Sequence, residues 1–190
     1  MAKRANDLIL RDRLQFTLDG SGDLSVNYGR IDLSDYVSVV RDEGLQIKEI
    51  TYQLRNTSAT NQTAVFNPVL CDATEAFASM QIFATTTAYE SATDVGIASS
   101  NVLNNYTLTT NRFGNAVDIA IWENQERFRG VYDLHPDGYT VVTDLLIGVA
   151  ANDCNSLAGA TVELDIMIIA EPRKVSKKDL ERMLAQATDL

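Results

Sequence analysis

Along much of this chain apolar residues recur at every second position, the spacing that turns one face of a β-strand to a core and the other to water. Leu8, Leu10, Leu14, Phe16 and Leu18 share one parity, with Arg11, Arg13, Gln15, Thr17 and Asp19 between them, so a half-buried strand is expected over 8–18. Asp19-Gly20-Ser21-Gly22-Asp23 then reads as a turn, and its carboxylates lack the third acidic position and distal Glu of a helix-loop-helix calcium site. A second strand is expected over 24–28 and a short ordered loop over 30–37. In 45–54, Leu45 and Ile47 lie on one parity while Ile50, Tyr52 and Leu54 lie on the other, which predicts a bulge or a bend between sheets.

Residues 56–63 are Asn, Thr, Ser, Ala and Gln, a loop by composition. Strands are expected over 64–71 and over 79–89, the latter with Met80, Ile82, Ala84, Thr86 and Ala88 on one face. The stretch 90–115 is the least regular, polar with one strand over 102–109, and long polar connections of this kind are expected at the ends of a sandwich. Strand pattern returns over 116–122, and 123–130 reads as a helical turn or a loop. After the Pro136-Asp137-Gly138 turn, Tyr139, Val141, Thr143, Leu145, Ile147 and Val149 alternate as one strand, joined through 152–159 to the last.

That last strand, 161–170, places Val162, Leu164, Ile166, Ile168 and Ala170 on one face, with Glu163, Asp165, Met167 and Ile169 on the other. Its second half is apolar on both faces, as in a strand covered on both sides. Glu171-Pro172 is expected to close it. A helix is predicted over 176–188: Ser176 as N-cap, Asp179 completing a capping box, Val175 and Leu180 as a hydrophobic staple, and Leu180, Met183, Leu184 and Ala187 as an apolar stripe. With eight or nine strands and no alternation of strand and helix, the chain is expected to be all-β and antiparallel, a sandwich over 1–172 followed by a basic linker and amphipathic helix over 173–190.

Charge changes this picture at the two ends. The formal net charge is -10, yet residues 1–13 and 173–190 together hold nine basic against five acidic side chains, a net of +4, while the segment between holds seven against 21, a net of -14. Lys3, Arg4, Arg11, Arg13, Arg173, Lys174, Lys177 and Lys178 are the candidate interaction residues, a basic patch expected to face an anionic partner. Lys177 and Lys178 oppose the dipole of the predicted helix, so a contact elsewhere is a reason for their presence. The acidic body has the wrong sign for phosphate, so no specific nucleic-acid recognition is expected.

No apolar signal-peptide core follows the basic start, and no run approaches the roughly 18 apolar residues of a membrane span. The sequons at Asn56, Asn61 and Asn105 are read as Asn- and Thr-rich loops. Cys71 and Cys154 are read as buried small hydrophobes without a disulfide. His135 is the only histidine, which leaves no multi-histidine metal centre and no second base for a catalytic triad, and phosphate-binding glycine motifs are absent. The expectation is a non-enzyme with no cofactor or metal.

The strand series from 8–18 to 161–170, the long polar end loops, the basic termini and the appended helix over 176–190 together resemble a single jelly-roll viral capsid protein. The likeness is architectural and covers most of the chain. It departs from coat proteins with long Arg/Lys-rich arms, and is more similar to the small shell proteins of tailless icosahedral viruses with an internal membrane. That resemblance implies an eight-stranded jelly roll with a short C-terminal helix and a major capsid subunit that self-assembles into an icosahedral virion shell. The partners implied are many copies of itself, a second shell protein, and an anionic membrane or inner layer against the inward-facing basic ends. A subunit of a cellular filament or surface layer and a glycan-binding β-sandwich are the rival expectations.

Overall fold

The computed structural model describes residues 7–58, 61–72, 74–114 and 120–188, with side chains of the final helix through residue 185. Strands β1 (Leu8–Thr17), β2 (Leu24–Ile31), β3 (Glu43–Arg55), β4 (Phe77–Thr85), β5 (Val102–Phe113), β6 (Ile121–Arg129), β7 (Tyr139–Val141), β8 (Leu145–Asn152) and β9 (Thr161–Lys174) form two antiparallel sheets. Helix α1 (Val131–Leu134) is a single turn, and α2 (Lys177–Thr188) follows β9. A four-stranded sheet runs β1-β9-β3-β7 and a five-stranded sheet runs β2-β8-β4-β5-β6. The all-β, antiparallel reading holds.

β9 is central because it is the strand with the longest apolar face. It pairs with β1 from Leu8↔Ala170 to Thr17↔Thr161 without a register break, and with β3 on its other side. Val162, Leu164, Ile166, Ile168 and Ala170 are buried in the main core, as their parity predicts, opposite Met80, Ile82, Leu145 and Ile147 of the second sheet. The expected bulge in β3 is present: the register with β9 shifts between Ile47 and Glu49, so that Leu45, Ile47 and Ile50 all reach the core despite their change of parity. One polar network joins the layers. Asn104 of β5 accepts from the Tyr52 hydroxyl at 2.8 Å and from the Ala84 amide at 3.0 Å, and donates to the Ile50 carbonyl at 3.3 Å. Burial pushes the Tyr52 hydroxyl pKa up, so this donor stays protonated.

Several expectations are corrected. Pro172 does not end β9, which continues to Lys174 paired with Glu43. The β1 ladder stops at Ala170, so beyond it β9 is paired on one side only, where a residue without an N–H costs least. Residues 64–71 are not a strand: only Val65 forms a bridge, with Arg55, and Ala64 has φ 55°. Asn67-Pro68 interrupts any ladder there, and side chains hold the stretch instead, with Thr110 Oγ1 accepting from the Leu70 amide at 3.0 Å and donating to the Pro68 carbonyl at 3.1 Å. The strand expected over 79–89 is shifted to 77–85, so Thr86 and Ala88 lie beyond it.

The single strand expected over 139–149 is two strands in different sheets, β7 and β8. Alternation persists across the break because both halves turn the same parity to the shared core. The corner between them is held by Asp144, which forms an ion pair with Arg30 and accepts from the Leu33 amide at 3.4 Å. The connection 86–101 does not sit at an end of the sandwich. It lies over the outer face of the five-stranded sheet, where Phe83, Val95 and Val102 form a second buried cluster with Val26, Tyr28, Tyr89 and Leu134 packed against it. Gly148 is required beneath it, because a Cβ there would meet the Phe83 ring at 2.3 Å.

The tail helix is built as its sequence predicts. Ser176 Oγ accepts from the Asp179 amide at 3.2 Å and donates to the Asp179 carboxylate at 2.7 Å. Val175 and Leu180 are buried with Val142, so the staple also docks α2 on the sandwich. Cys71 and Cys154 are buried free thiols, both with pKa pushed up by burial, Cys154 to about 12. Asn105 is buried in β5 rather than in a loop.

Candidate interaction surfaces

The outer face of the four-stranded sheet is a field of paired charges. β1 and β9 set Arg13 opposite Asp165, while β3 sets Arg55 opposite Glu163. Arg13 donates to both Asp165 carboxylate oxygens, Arg55 to Glu163 at 3.1 Å, and Gln15 to the other Glu163 oxygen at 2.9 Å. The Arg13 hydrogen bonds hold the Asp165 pKa below the usual carboxylate value and raise that of Arg13. Lys48, between Asp7 at 2.6 Å and Glu171 at 2.7 Å, has its pKa raised by those two hydrogen bonds. Next to this network a shallow groove of about 550 Å³ is lined by Arg11, Arg13, Thr51, Gln53 and Met167. Met167 and Ile169 on this face are half-buried, not covered by a further layer among the described residues.

The structure separates the predicted basic patch into three places. Lys3 and Arg4 lie outside the described residues. Arg11 and Arg13 stand on the sheet face opposite Met167 and Asp165, and Arg13 is committed to its carboxylates. Arg173 and Lys174 lie at the far end of β9, where Lys174 binds Glu43 at 3.0 Å and the Arg41 carbonyl at 3.1 Å, lowering the Glu43 pKa. Lys177 and Lys178 are exposed in the first turn of α2. Among the described residues Arg11, Arg173, Lys177 and Lys178 make no ion pair. The Leu8↔Ala170 pair does bring the start of β1 beside the last third of β9, the part that leads into Arg173 and Lys174.

His135 is held at one ring nitrogen and along one ring edge. Its Nε2 donates to the Val102 carbonyl at 2.8 Å and its ring stands edge-on to Tyr139, 4.7 Å between centroids. The Asp19 carboxylate is occupied by its own turn, accepting from the Ser21 and Asp23 amides at 2.8 and 2.9 Å, which lowers its pKa.

Sequence reasoning missed the most exposed surface. Of residues 123–130, expected as a helical turn or loop, all but Gly130 belong to β6, which pairs in unbroken register with β5 from Asn105↔Arg129 to Phe113↔Ile121. Most of its residues are exposed on both faces, including Ile121 at 61%, Trp122 at 40% and Phe128 at 48%. The strand predicted over 116–122 begins only at Ile121, with 116–119 outside the described residues. No apolar parity marks β6, because it extends past the sheet that would cover it. Its one readable signal is the placing of an aromatic near each end of a charged run.

No family model matches this chain, and no curated protein matches it. Among the described residues no helix is long and apolar enough to cross a membrane.

Proposed function

We propose that this protein is a jelly-roll shell subunit, a capsid protein whose copies assemble into an icosahedral virion. The strand order carries the reading. β1-β9-β3-β7 facing β2-β8-β4-β5 is the arrangement that eight strands take when a chain is wound as two interleaved Greek keys, with β6 added at one edge. Jelly rolls also serve as lectins and cupin enzymes. His135, the only histidine, is committed to a backbone carbonyl, so the histidine-rich centre of a cupin has no candidate ligands within one chain.

In this reading the four-stranded sheet and the tail face the interior. Arg173, Lys177 and Lys178 leave the same region as the start of β1 and have no ion pair among the described residues. Each cation near an anionic membrane contributes about 1 kcal/mol, decaying within a Debye length, a weak contact per subunit that repetition multiplies. The purified chain at micromolar concentration, studied by sedimentation and negative-stain microscopy with and without anionic vesicles, tests the proposal. Closed shells or large curved assemblies are expected. Species no larger than a small oligomer under every salt and vesicle condition would overturn it.

A further inference from the structure

A sandwich with two open sheets has four edge strands, and here three of them are blunted. β1 carries Asp12 on its core-facing parity, exposed, an inward-pointing charge at the edge. β2 is broken by a register shift between Leu24 and Asn27, and β7 is only Tyr139–Val141. β6 is different: nine residues, regular in register, without proline or lysine, and with no strand on its other side among the described residues. An edge of this length left bare is a template for another strand.

The side chains of β6 specify which strand fits. Read as Ile121-Trp122-Glu123-Asn124-Gln125-Glu126-Arg127-Phe128-Arg129, it is complementary to itself when reversed about Gln125. An antiparallel pairing of two copies about that residue sets Trp122 opposite Phe128 and Glu123 opposite Arg127, each twice, with Ile121 against the stem of Arg129. Directly opposed residues project to the same side of a sheet, so the aromatics meet on one face, with Asn124 opposite Glu126 between them, and Glu123 meets Arg127 on the other. On the aromatic face Phe128 is already braced edge-on by Tyr106 at 6.1 Å, and Tyr106 donates to Glu126 at 3.2 Å, which holds these side chains in position. Glu123 and Arg127 have no ion pair within their own chain among the described residues; their hydrogen bonds run to Gln125, at 3.0 and 3.5 Å. Both charges are therefore free to pair across an axis.

We infer that β6 is a two-fold contact between two copies of this chain, joining their five-stranded sheets into one continuous ten-stranded sheet. The contact stands on the edge and its sequence and does not require the shell reading, although in a shell it would supply one of the two-fold axes.

The test uses the full chain. Gln125→Cys places two thiols opposite each other on the axis, at the roughly 4.5 to 5.5 Å Cα separation of facing strand residues, which a disulfide spans. Cys71 and Cys154 are buried and do not compete. Under mild oxidation the Gln125→Cys chain is expected to cross-link about tenfold faster or more than a Gln53→Cys control, whose exposed site lies on the other sheet. In sedimentation equilibrium Glu123→Arg or Arg127→Glu alone, each opposing like charges twice, should weaken self-association about tenfold, and the double swap should restore it. Cross-linking no faster than the control, or a double swap as weak as the singles, overturns the contact. A Trp122 fluorescence change with oligosaccharides in a chain that stays monomeric also overturns it, in favour of a glycan platform. A chain that forms shells while Gln125→Cys fails to cross-link leaves the shell standing without this contact; a β6 dimer that never grows further leaves the contact standing without the shell.

Discussion

Replacing Gly148 with alanine adds one methyl carbon at the most crowded point of the second cluster. Its ideal position lies 2.3 Å from Phe83 Cζ and 2.6 and 2.9 Å from the neighbouring ring carbons. Carbon pairs rest at about 3.5 to 4.0 Å, so the ring must withdraw by more than about 1 Å. It has nowhere to withdraw to: Phe83 is fully buried, Tyr28 stands edge-on with ring centroids 5.9 Å apart, and Val95 and Val102 close the other sides. Overpacking of this kind costs about 1 to 3 kcal/mol. Loss of glycine's freedom in the unfolded chain offsets about 0.4 to 1 kcal/mol of it, leaving a net destabilisation of about 1 to 2 kcal/mol. Denaturant titration of Gly148→Ala, Phe83→Leu and the double variant closes a cycle around the contact. Phe83→Leu alone should destabilise by leaving space, and the added methyl should then cost nothing or stabilise. Gly148→Ala within about 0.5 kcal/mol of wild type, or an equal cost in both backgrounds, would refute the assignment of Phe83 to a rigid core beneath the 86–101 connection.

Ile166→Ala, at a position 2% exposed in the centre of β9, should cost about 2 to 5 kcal/mol by denaturant titration, while Met167→Ala on the outer face should cost well under half of that. Folded-state pKa values lowered for Asp19, Asp32, Glu43, Asp72 and Asp165 mean that these carboxylates add stability above the ordinary carboxylate range and lose it as pH falls through their folded values; melting temperatures should hold near neutrality and drop below about pH 4, with high salt diminishing the part due to Glu43 and Asp165. Neutralising Arg173, Lys174, Lys177 and Lys178 together should leave the circular dichroism and melting transition close to wild type and weaken assembly or retention on anionic vesicles; unchanged retention would remove the inward-facing assignment.

What could be read from the chain was whatever depended on one face of one element. The parity of β1, β4 and β9, the bulge betrayed by Ile47 and Ile50, and the capping chemistry at Ser176 and Asp179 are local patterns, and the structure keeps them. The errors fall where pairing, not pattern, decides. Tyr139 to Val149 alternates whether the chain continues in one sheet or crosses to the other, and only the Arg30–Asp144 corner distinguishes them. Residues 64–71 have strand composition, yet Thr110 takes up their backbone groups. β6 has no buried face at all, so nothing in its periodicity marks it as a strand. The basic ends were legible as composition, but the pairing of Arg13 with Asp165 and of Lys174 with Glu43 depends on which strands lie side by side.

The place of β9 also sets a timetable. It lies between β1 and β3, so the strand that organises the four-stranded sheet is synthesised after the other eight, and β1 waits through some 150 residues for the partner it zips to from Thr17↔Thr161 to Leu8↔Ala170. Until then β1 and β3 have open backbone facing a vacant lane, while β4 and β5, which are adjacent in sequence, can already pair. Long-range closure of this sort slows folding and prolongs the exposure of apolar edges. A nascent chain interrupted before residue 161 would hold all five strands of the second sheet but, of the first, only the β3–β7 pair and an unpartnered β1, and so could not present a finished sandwich to other copies.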